Sequence, residues 1–355
     1  MFFVLVPLIL GLLQYYLFRT AATAYPNLSV FFLTTISLLF LSLFAAIFLE
    51  KRGKLALSLP FSWLGYTWLG VAGISVTLVA VTDLLQLLGL GFTDRSQFLG
   101  VSLLSILLSG WAAFEARRVR VKQVTIRSHK MGGRRKPIRI AQISDMHLGD
   151  SSTVGHTQKI VHTVNLHEPD VIVSTGDLFD GYLELMAPFV DSLRELKAPL
   201  GKFAISGNHE VYAGLEKAMS LTELAGFTVL SNRSHPVNEL LTVVGVEDPA
   251  SPIAPDEAAA LDTISQVPFH LLLKHRPAFD PNSEGKFDLQ LSGHTHGGQV
   301  APFHLLTKLV YRAKPGLSEL APKQFLYLSR GTGSWGPQLR LLAPPEITII
   351  ELRPE

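Results

Sequence analysis

Asp145 and His147, then Asp177, then Asn208 and His209, then His275, then His294 and His296 are the side chains whose types and spacing could do chemistry together. Each group stands where a short apolar run gives out. Taken singly they say little: Asp-x-His is commonly a turn with a satisfied histidine, and Gly-Asn-His a tight turn. Their order and type together say more, because one chain delivers Asp, Asn and His at five successive places. His294 and His296, two apart at a strand end, point to the same side. Glycine beside three of the groups lets backbone approach closely. Carboxylate oxygen, amide oxygen and imidazole nitrogen, with no thiolate, suit Mn²⁺, Fe or Zn²⁺. Asp177 is the natural bridge, since a carboxylate can serve two cations. Two metals about 3.5–4 Å apart polarise water and clamp the attacking and leaving oxygens of an in-line phosphoryl displacement.

The elements that must position these groups are strands. Pro137–Ser144 leads into Asp-Met-His, Val171–Thr175 into Gly-Asp, and Lys202–Ser206 into Gly-Asn-His. Phe269–Lys274 leads into His275, and Phe287–Ser292 into Gly-His-Thr-His. Apolar runs of this length bounded by glycine and polar residues suit strands buried on both faces. Helical stretches intervene, such as Val154–Leu166 and Leu215–Leu224, and Glu346–Glu351 reads as a closing strand. An α/β fold with its chemistry at the C-terminal ends of strands follows the general rule for ligand sites in such sheets. There is no internal repeat and no low-complexity segment.

Ile143-Ser-Asp-Met-His147, Thr175-Gly-Asp177, Gly207-Asn-His-Glu210, His275 and Gly293-His-Thr-His-Gly-Gly-Gln299 resemble the signature of the calcineurin-like metallophosphoesterases. The Gly-His-Thr-His-Gly-Gly-Gln run is similar to that of a bacterial membrane-associated subgroup. Leu328-Ser-Arg-Gly331 and Pro344-Pro-Glu-Ile347 strengthen the match, which covers roughly residues 137–352. The resemblance implies an αββα sandwich holding two divalent metal ions. Asp145, His147, Asp177 and His296 would hold one metal; Asp177, Asn208, His275 and His294 would hold the other. His209 matches a histidine that contacts phosphate and protonates the leaving group. Imidazole, with an unperturbed pKa near ~6.5, suits a general acid at neutral pH. Arg276 and Gln299 stand beside ligands and are candidates for touching phosphate oxygens.

The first third of the 355-residue chain is unlike the rest, and a mean hydropathy of +0.30 reflects it. A bilayer core of ~30 Å needs about 20 apolar helical residues. Residues 1–18, 28–49, 63–82 and 98–114 meet or approach that, which predicts a four-helix transmembrane region over 1–119 and a phosphoesterase domain over 120–355. Basic residues accumulate after the second span (Lys51, Arg52, Lys54) and after the fourth. Nine Lys or Arg and no acid lie between Arg117 and Lys136. The positive-inside rule then predicts a multi-pass inner-membrane protein with a cytoplasmic catalytic domain. The basic stretch is also suited to anionic headgroups, at ~1 kcal/mol per residue near the surface. Asp83 is the one acid between Trp63 and Phe92.

With a net charge of +2 the chain gives no argument for a nucleic-acid partner, and with no cysteine it has neither disulfides nor thiolate sites. The expected function is hydrolysis of a phosphoester or pyrophosphate bond by a metal-activated hydroxide. A bilayer tether favours a lipid-linked substrate: a phospholipid, an isoprenoid phosphate or a lipid-linked nucleotide. The resemblance includes enzymes that cleave the pyrophosphate of UDP-diacylglucosamine, although fold alone does not settle substrate. The alternatives are a tethered phosphodiesterase for soluble nucleotides, a nuclease, a channel, and a sensor that uses the fold only to bind.

Overall fold

The computed structural model describes residues 2–132, 136–149, 152–262 and 268–355. Arg134 and Arg135 of the basic stretch and Met1 of the first expected span lie outside the described residues. Two compact units are present. One comprises residues 1–115 with two short segments from far along the chain, 300–302 and 336–341. The other holds the remainder.

The first unit is built on α1 (Phe2–Ala24), α2 (Ser29–Lys51), α3 (Leu55–Leu87) and α4 (Asp94–Ala116). Three helices, Pro26–Lys51, Leu55–Leu87 and Asp94–Ala116, are long and apolar enough to cross a membrane among the described residues. Those three correspond to the second, third and fourth expected spans. The described residues of the first expected span fall within α1, which is helical and carries Gln14, Tyr15, Tyr16 and Arg19 within its length. The third expected span, 63–82, is the middle of a 33-residue helix that runs through Pro60. At 1.5 Å per residue that helix is about 50 Å long.

Several polar side chains inside this unit are paired. Asp83 accepts hydrogen bonds from Tyr16 Oη at 2.6 Å and Gln97 Nε2 at 2.5 Å. Trp68 Nε1 donates to Gln14 at 2.8 Å. An acid in an apolar helix is tolerated when its oxygens are satisfied by neighbours, as those of Asp83 are. Gly65 sits where α2 and α3 cross, and a Cβ there would come within 2.7 Å of the Leu43 backbone. Val300, Leu339 and Leu341 from the two distant segments pack with Ile74 and Ala112.

Among the described residues the second unit contains twelve strands: β1 (Arg120–Arg127), β2 (Ile138–Ile143), β3 (Val171–Ser174), β4 (Lys202–Ala204), β5 (Thr228–Val229), β6 (Arg233–Pro236), β7 (Leu241–Gly245), β8 (Phe269–Leu273), β9 (Leu289–Ser292), β10 (Gly316–Ala321), β11 (Gln324–Leu328) and β12 (Glu346–Arg353). They form two mixed six-stranded sheets, ordered β1-β12-β2-β3-β4-β5 and β10-β11-β9-β8-β7-β6. Alternation along each strand divides the core. In β2, Ile138 and Ile140 face the second sheet while Ala141 and Ile143 face helices. In β12, Ile350 and Leu352 take the inter-sheet side, and Ile347 and Ile349 the helix side. That two-residue period is the strand's own geometry. Helices α5 (Val154–Leu166), α6 (Ala187–Arg194) and α7 (Asn208–Leu224) cover the first sheet. On the second sheet, Val244 and Leu272 pack against Ala260 and Leu261 of α8 (Glu257–Asp262). One further helix, α9 (His304–Tyr311), follows β9.

The helix expected at Leu215–Leu224 is longer. α7 begins at Asn208 and turns through Gly214, whose φ is 116°. Asn208 and His209 therefore open a helix, where unpaired backbone N–H groups favour negative charge.

Candidate metal centre

β2, β3 and β4 are parallel neighbours in one sheet, as are β8 and β9 in the other. Their C-terminal ends therefore release the chain at the same edge. The loop after β2 carries Asp145 and His147, the turn after β3 Asp177, and the start of α7 Asn208 and His209. His275 follows β8, and His294 and His296 follow β9. All five strand ends singled out in the sequence converge.

Asp177 lies at the middle. Its Oδ2 is 3.2 Å from His275 Nε2 and 3.7 Å from His147 Nε2. On one side His147 Nε2 and His296 Nε2 approach to 3.0 Å, with Asp145 Oδ1 3.6 Å from His296. On the other, His275 Nε2 is 3.2 Å from Asn208 Oδ1 and 3.1 Å from His294 Nδ1. Donor atoms of Asp145, His147 and His296, and those of Asp177, His275 and His294, each lie within 4.8 Å of one another. A third group, His147, Asp177 and His209, overlaps the first.

The backbone is bent to achieve this. Asp145, His147, Asp177, His294, His296 and Gln299 all have positive φ, between 45° and 70°. Non-glycine residues rarely adopt that region, and where they do the strain concentrates at functional sites. Neighbouring backbone holds the bends: His147 N–H donates to the Asp177 carbonyl at 3.0 Å, and Gly333 N–H to the Asp145 carbonyl at 3.0 Å. Arg330 pairs with Glu346 at 2.9 Å, tying the Leu-Ser-Arg-Gly run to the Pro-Pro-Glu-Ile run.

Outer partners orient the imidazoles. His275 Nδ1 donates to the Thr175 carbonyl at 2.8 Å, which turns Nε2 towards Asp177. Asp180 takes His147 Nδ1 at 3.1 Å on one oxygen and His209 Nδ1 at 3.1 Å on the other. Such second partners fix the tautomer and raise ligand basicity. Glu210, fully buried, accepts from the backbone N–H groups of Asp177, Leu178, Phe179 and Gly207. The sequence reading missed Asp180 altogether and left Glu210 without a role; Glu210's place in Gly-Asn-His-Glu was the available signal.

Electrostatics mark the same centre. Burial works against ionisation of Asp177, but His275 and His147 beside it hold its carboxyl far below the usual range. Burial pushes Asp145 up. Burial disfavours charge on His275, yet Asp177 and Asp145 pull it up to about 10. Burial, with His275 and Arg276 adding to it, pushes His294 down to about 3. Burial lowers His209, and Asp180 with Asp177 more than restores it, leaving it raised. Burial and the Asp177 charge lift Glu210 to about 7. Two buried carboxylates facing imidazole nitrogens call for positive charge among them. A mixed nitrogen and oxygen donor set without sulfur fits divalent transition metals. The residues present therefore fit the metal ions the chemistry needs.

Arg276 and Gln299 are placed differently. The Arg276 fork grips the buried carboxylate of Asp248 at 2.8 and 3.0 Å. Gln299 donates to the Trp335 carbonyl at 2.7 Å and accepts from its N–H at 3.0 Å. The Trp335 ring lies 5.7 Å from that of His209. Gln299 thus fixes an aromatic next to His209.

Two glycines are obligatory at close range. A Cβ on Gly207 would fall 2.2 Å from Asp177 Oδ1, and one on Gly293 2.0 Å from Asp145 Oδ2. Gly207→Ala is expected to lower bound metal and turnover together, with the folded fraction little changed. Metal content of the purified variant checks it; a full metal complement would show that Asp177 tolerates displacement.

Residues 138–298 match the family model described as calcineurin-like phosphoesterase. A metallophosphoesterase of Aquifex aeolicus is 33% identical over 256 residues, covering 70% of this chain and 98% of that protein. The Bacillus subtilis metallophosphoesterase YkuE is 33% identical over 258 residues, 69% of this chain and 89% of its own length. A zebrafish (Danio rerio) transmembrane protein with metallophosphoesterase domain is 29% identical over 254 residues, 67% of this chain and 58% of its own. The chain spans 60% of a Campylobacter jejuni relative.

Proposed function

We infer the reaction from one premise: the chain belongs to the calcineurin-like metallophosphoesterase family and is a metal-dependent phosphoester hydrolase. Two divalent cations are its cofactor, drawn from Mn, Fe and Zn. Asp145, His147, Asp177 and His296 would hold one, and Asp177, Asn208, His275 and His294 the other. When bound, such a pair polarises water and compensates charge on the phosphoryl oxygens. The chain's own side chains do the rest. Asp177 joins the two halves of the site. Asp180 orients His147 and His209 through one carboxylate. His209, held at Nδ1, has Nε2 free to hand a proton to the departing oxygen. Arg276, kept in place by Asp248, is the candidate for contact with a phosphate oxygen, and Gln299 acts through Trp335. The observation that carries this reading is the convergence of seven donor residues from five strand ends, with Asp177 at their middle.

The substrate is a lipid-linked phosphoester or pyrophosphate in the inner membrane. Three membrane-length helices on the same chain support that, as do the basic residues that follow them. The test is full-length protein in lipid nanodiscs, loaded in turn with Mn²⁺, Fe²⁺ and Zn²⁺. It is assayed on phospholipid and lipid-pyrophosphate substrates beside soluble nucleotides and bis(p-nitrophenyl) phosphate. Faster hydrolysis of nucleotides than of any lipid would replace the substrate class while leaving the reaction in place.

The catalytic unit faces the cytoplasm. The loop carrying Lys51, Arg52 and Lys54 and the segment from Arg117 onward are separated by α3 and α4 alone. If both cross, the two basic segments share a side whether or not α1 spans, and positive residues mark that side as cytoplasmic. A reporter fused after Glu355 should be active only in its cytoplasmic form. Activity of an export-dependent reporter at the same position would reverse the orientation.

A further inference from the structure

α9 is amphipathic the wrong way round for a soluble helix. At about 100° per residue, Leu305, Leu309, Leu306 and Val310 fall within one arc of about 140°. His304, Thr307, Lys308 and Tyr311 occupy the opposite side. A helix on a soluble domain buries its apolar stripe. Here Leu305, Leu306, Leu309 and Val310 are 58%, 57%, 78% and 70% exposed, whereas His304, Thr307 and Tyr311 are the half-buried residues. Phe303, just before the helix, is exposed as well. A contiguous apolar surface of this kind marks an interaction site.

The helix is fastened to the metal-site loop at both ends. A Cβ on Gly298 would come within 2.2 Å of the His304 backbone nitrogen, so the loop after His296 lies directly against the start of α9. At the other end, the Tyr311 ring lies edge-on to the His294 ring, with centroids 5.4 Å apart. Around the apolar face the charge is of one sign. Lys308, Arg312 and Lys314 are exposed, and no acid occurs between Asp288 and Glu319.

We propose that α9 is an interfacial helix: its Leu305, Leu306, Leu309 and Val310 face enters the acyl boundary of the bilayer, with Lys308, Arg312 and Lys314 among anionic headgroups. The occupant is lipid because three helices among the described residues are of membrane length and because the flanking cations complement a negatively charged surface. The consequence is functional. Since α9 is joined to the loop bearing His294 and His296, docking it brings headgroup phosphates alongside those histidines. This rests on the lipid-substrate reading above, but the test reads depth rather than turnover, so the two fail separately.

The chain has no cysteine, so Leu309→Cys supplies a single thiol for an environment-sensitive fluorophore on the full-length protein. In nanodiscs of phosphatidylethanolamine and phosphatidylglycerol the label should be quenched by brominated acyl chains and shielded from iodide. That pattern matches insertion of about 5–10 Å. Replacing Leu305, Leu306, Leu309 and Val310 together by Gln should abolish insertion of the helix. It should cut hydrolysis of bilayer-embedded phosphoester at least about tenfold, while bis(p-nitrophenyl) phosphate turnover is unchanged. A label open to iodide and untouched by brominated lipid overturns the proposal. So does shielding in detergent that grows with protein concentration, which would make a second copy the occupant. If the label inserts but only soluble esters are hydrolysed, α9 is interfacial and the substrate reading is what fails.

Discussion

Asp177→Asn is expected to abolish hydrolysis while leaving the protein folded. The side chain is buried with Oδ2 turned to His275 and His147, and its Oδ1 accepts from the His209 N–H at 2.9 Å. Asparagine keeps the shape and an oxygen for that N–H. It also tolerates the positive φ of 52° better than most residues. What it loses is the negative charge shared by both halves of the site. Metals contribute several kcal/mol of charge stabilisation in such reactions, and each 1.36 kcal/mol is tenfold in rate. A loss on the order of 10³-fold or more in kcat should therefore accompany a fall in bound metal, with the circular dichroism spectrum unchanged. Near-normal turnover with two metals retained would remove Asp177 from its bridging place.

His209→Ala should leave metal content intact and lower kcat by about 10²–10⁴-fold for alkyl or lipid leaving groups, the range for general acid catalysis. The geometry separates this residue from the candidate ligands. Its Nδ1 is engaged by Asp180 at 3.1 Å, and its ring stands against His147, Tyr212 and Trp335. An aryl leaving group departs without a proton, so p-nitrophenyl esters should lose far less. Asp180→Asn should reproduce the same leaving-group dependence more weakly, by roughly 10–100-fold, the usual cost of an outer partner. Equal losses on both ester types would take His209 out of the acid role and make its contribution one of binding.

The residues brought together around Asp177 were legible because strand chemistry is local. A short apolar run ending in Gly and then Asp, Asn or His shows where a strand stops and which side chain it delivers. The groups that orient those residues were not legible. Asp180 lies in the loop after β3 yet serves His147, 33 positions back, and His209 ahead of it. Nothing in its neighbours distinguishes it from any loop acid. Asp248 is similarly silent until Arg276 is seen gripping it. Hydropathy registers the apolar length of the first four helices but not their pairings, in which Trp68 donates to Gln14 and Tyr16 to Asp83.

By itself the sequence determined the kind of chemistry, the order in which its residues arrive, and the separation of an apolar first third from an α/β remainder. These depend on residue type, period and spacing, which a chain displays without folding. Tertiary structure alone decided which carboxylate orients which imidazole, that residues 300–302 and 336–341 pack in the helical unit, and that α9 turns its leucines outward. Periodicity states that a helix has two unlike faces. Which face is buried depends on what the rest of the chain brings up beside it.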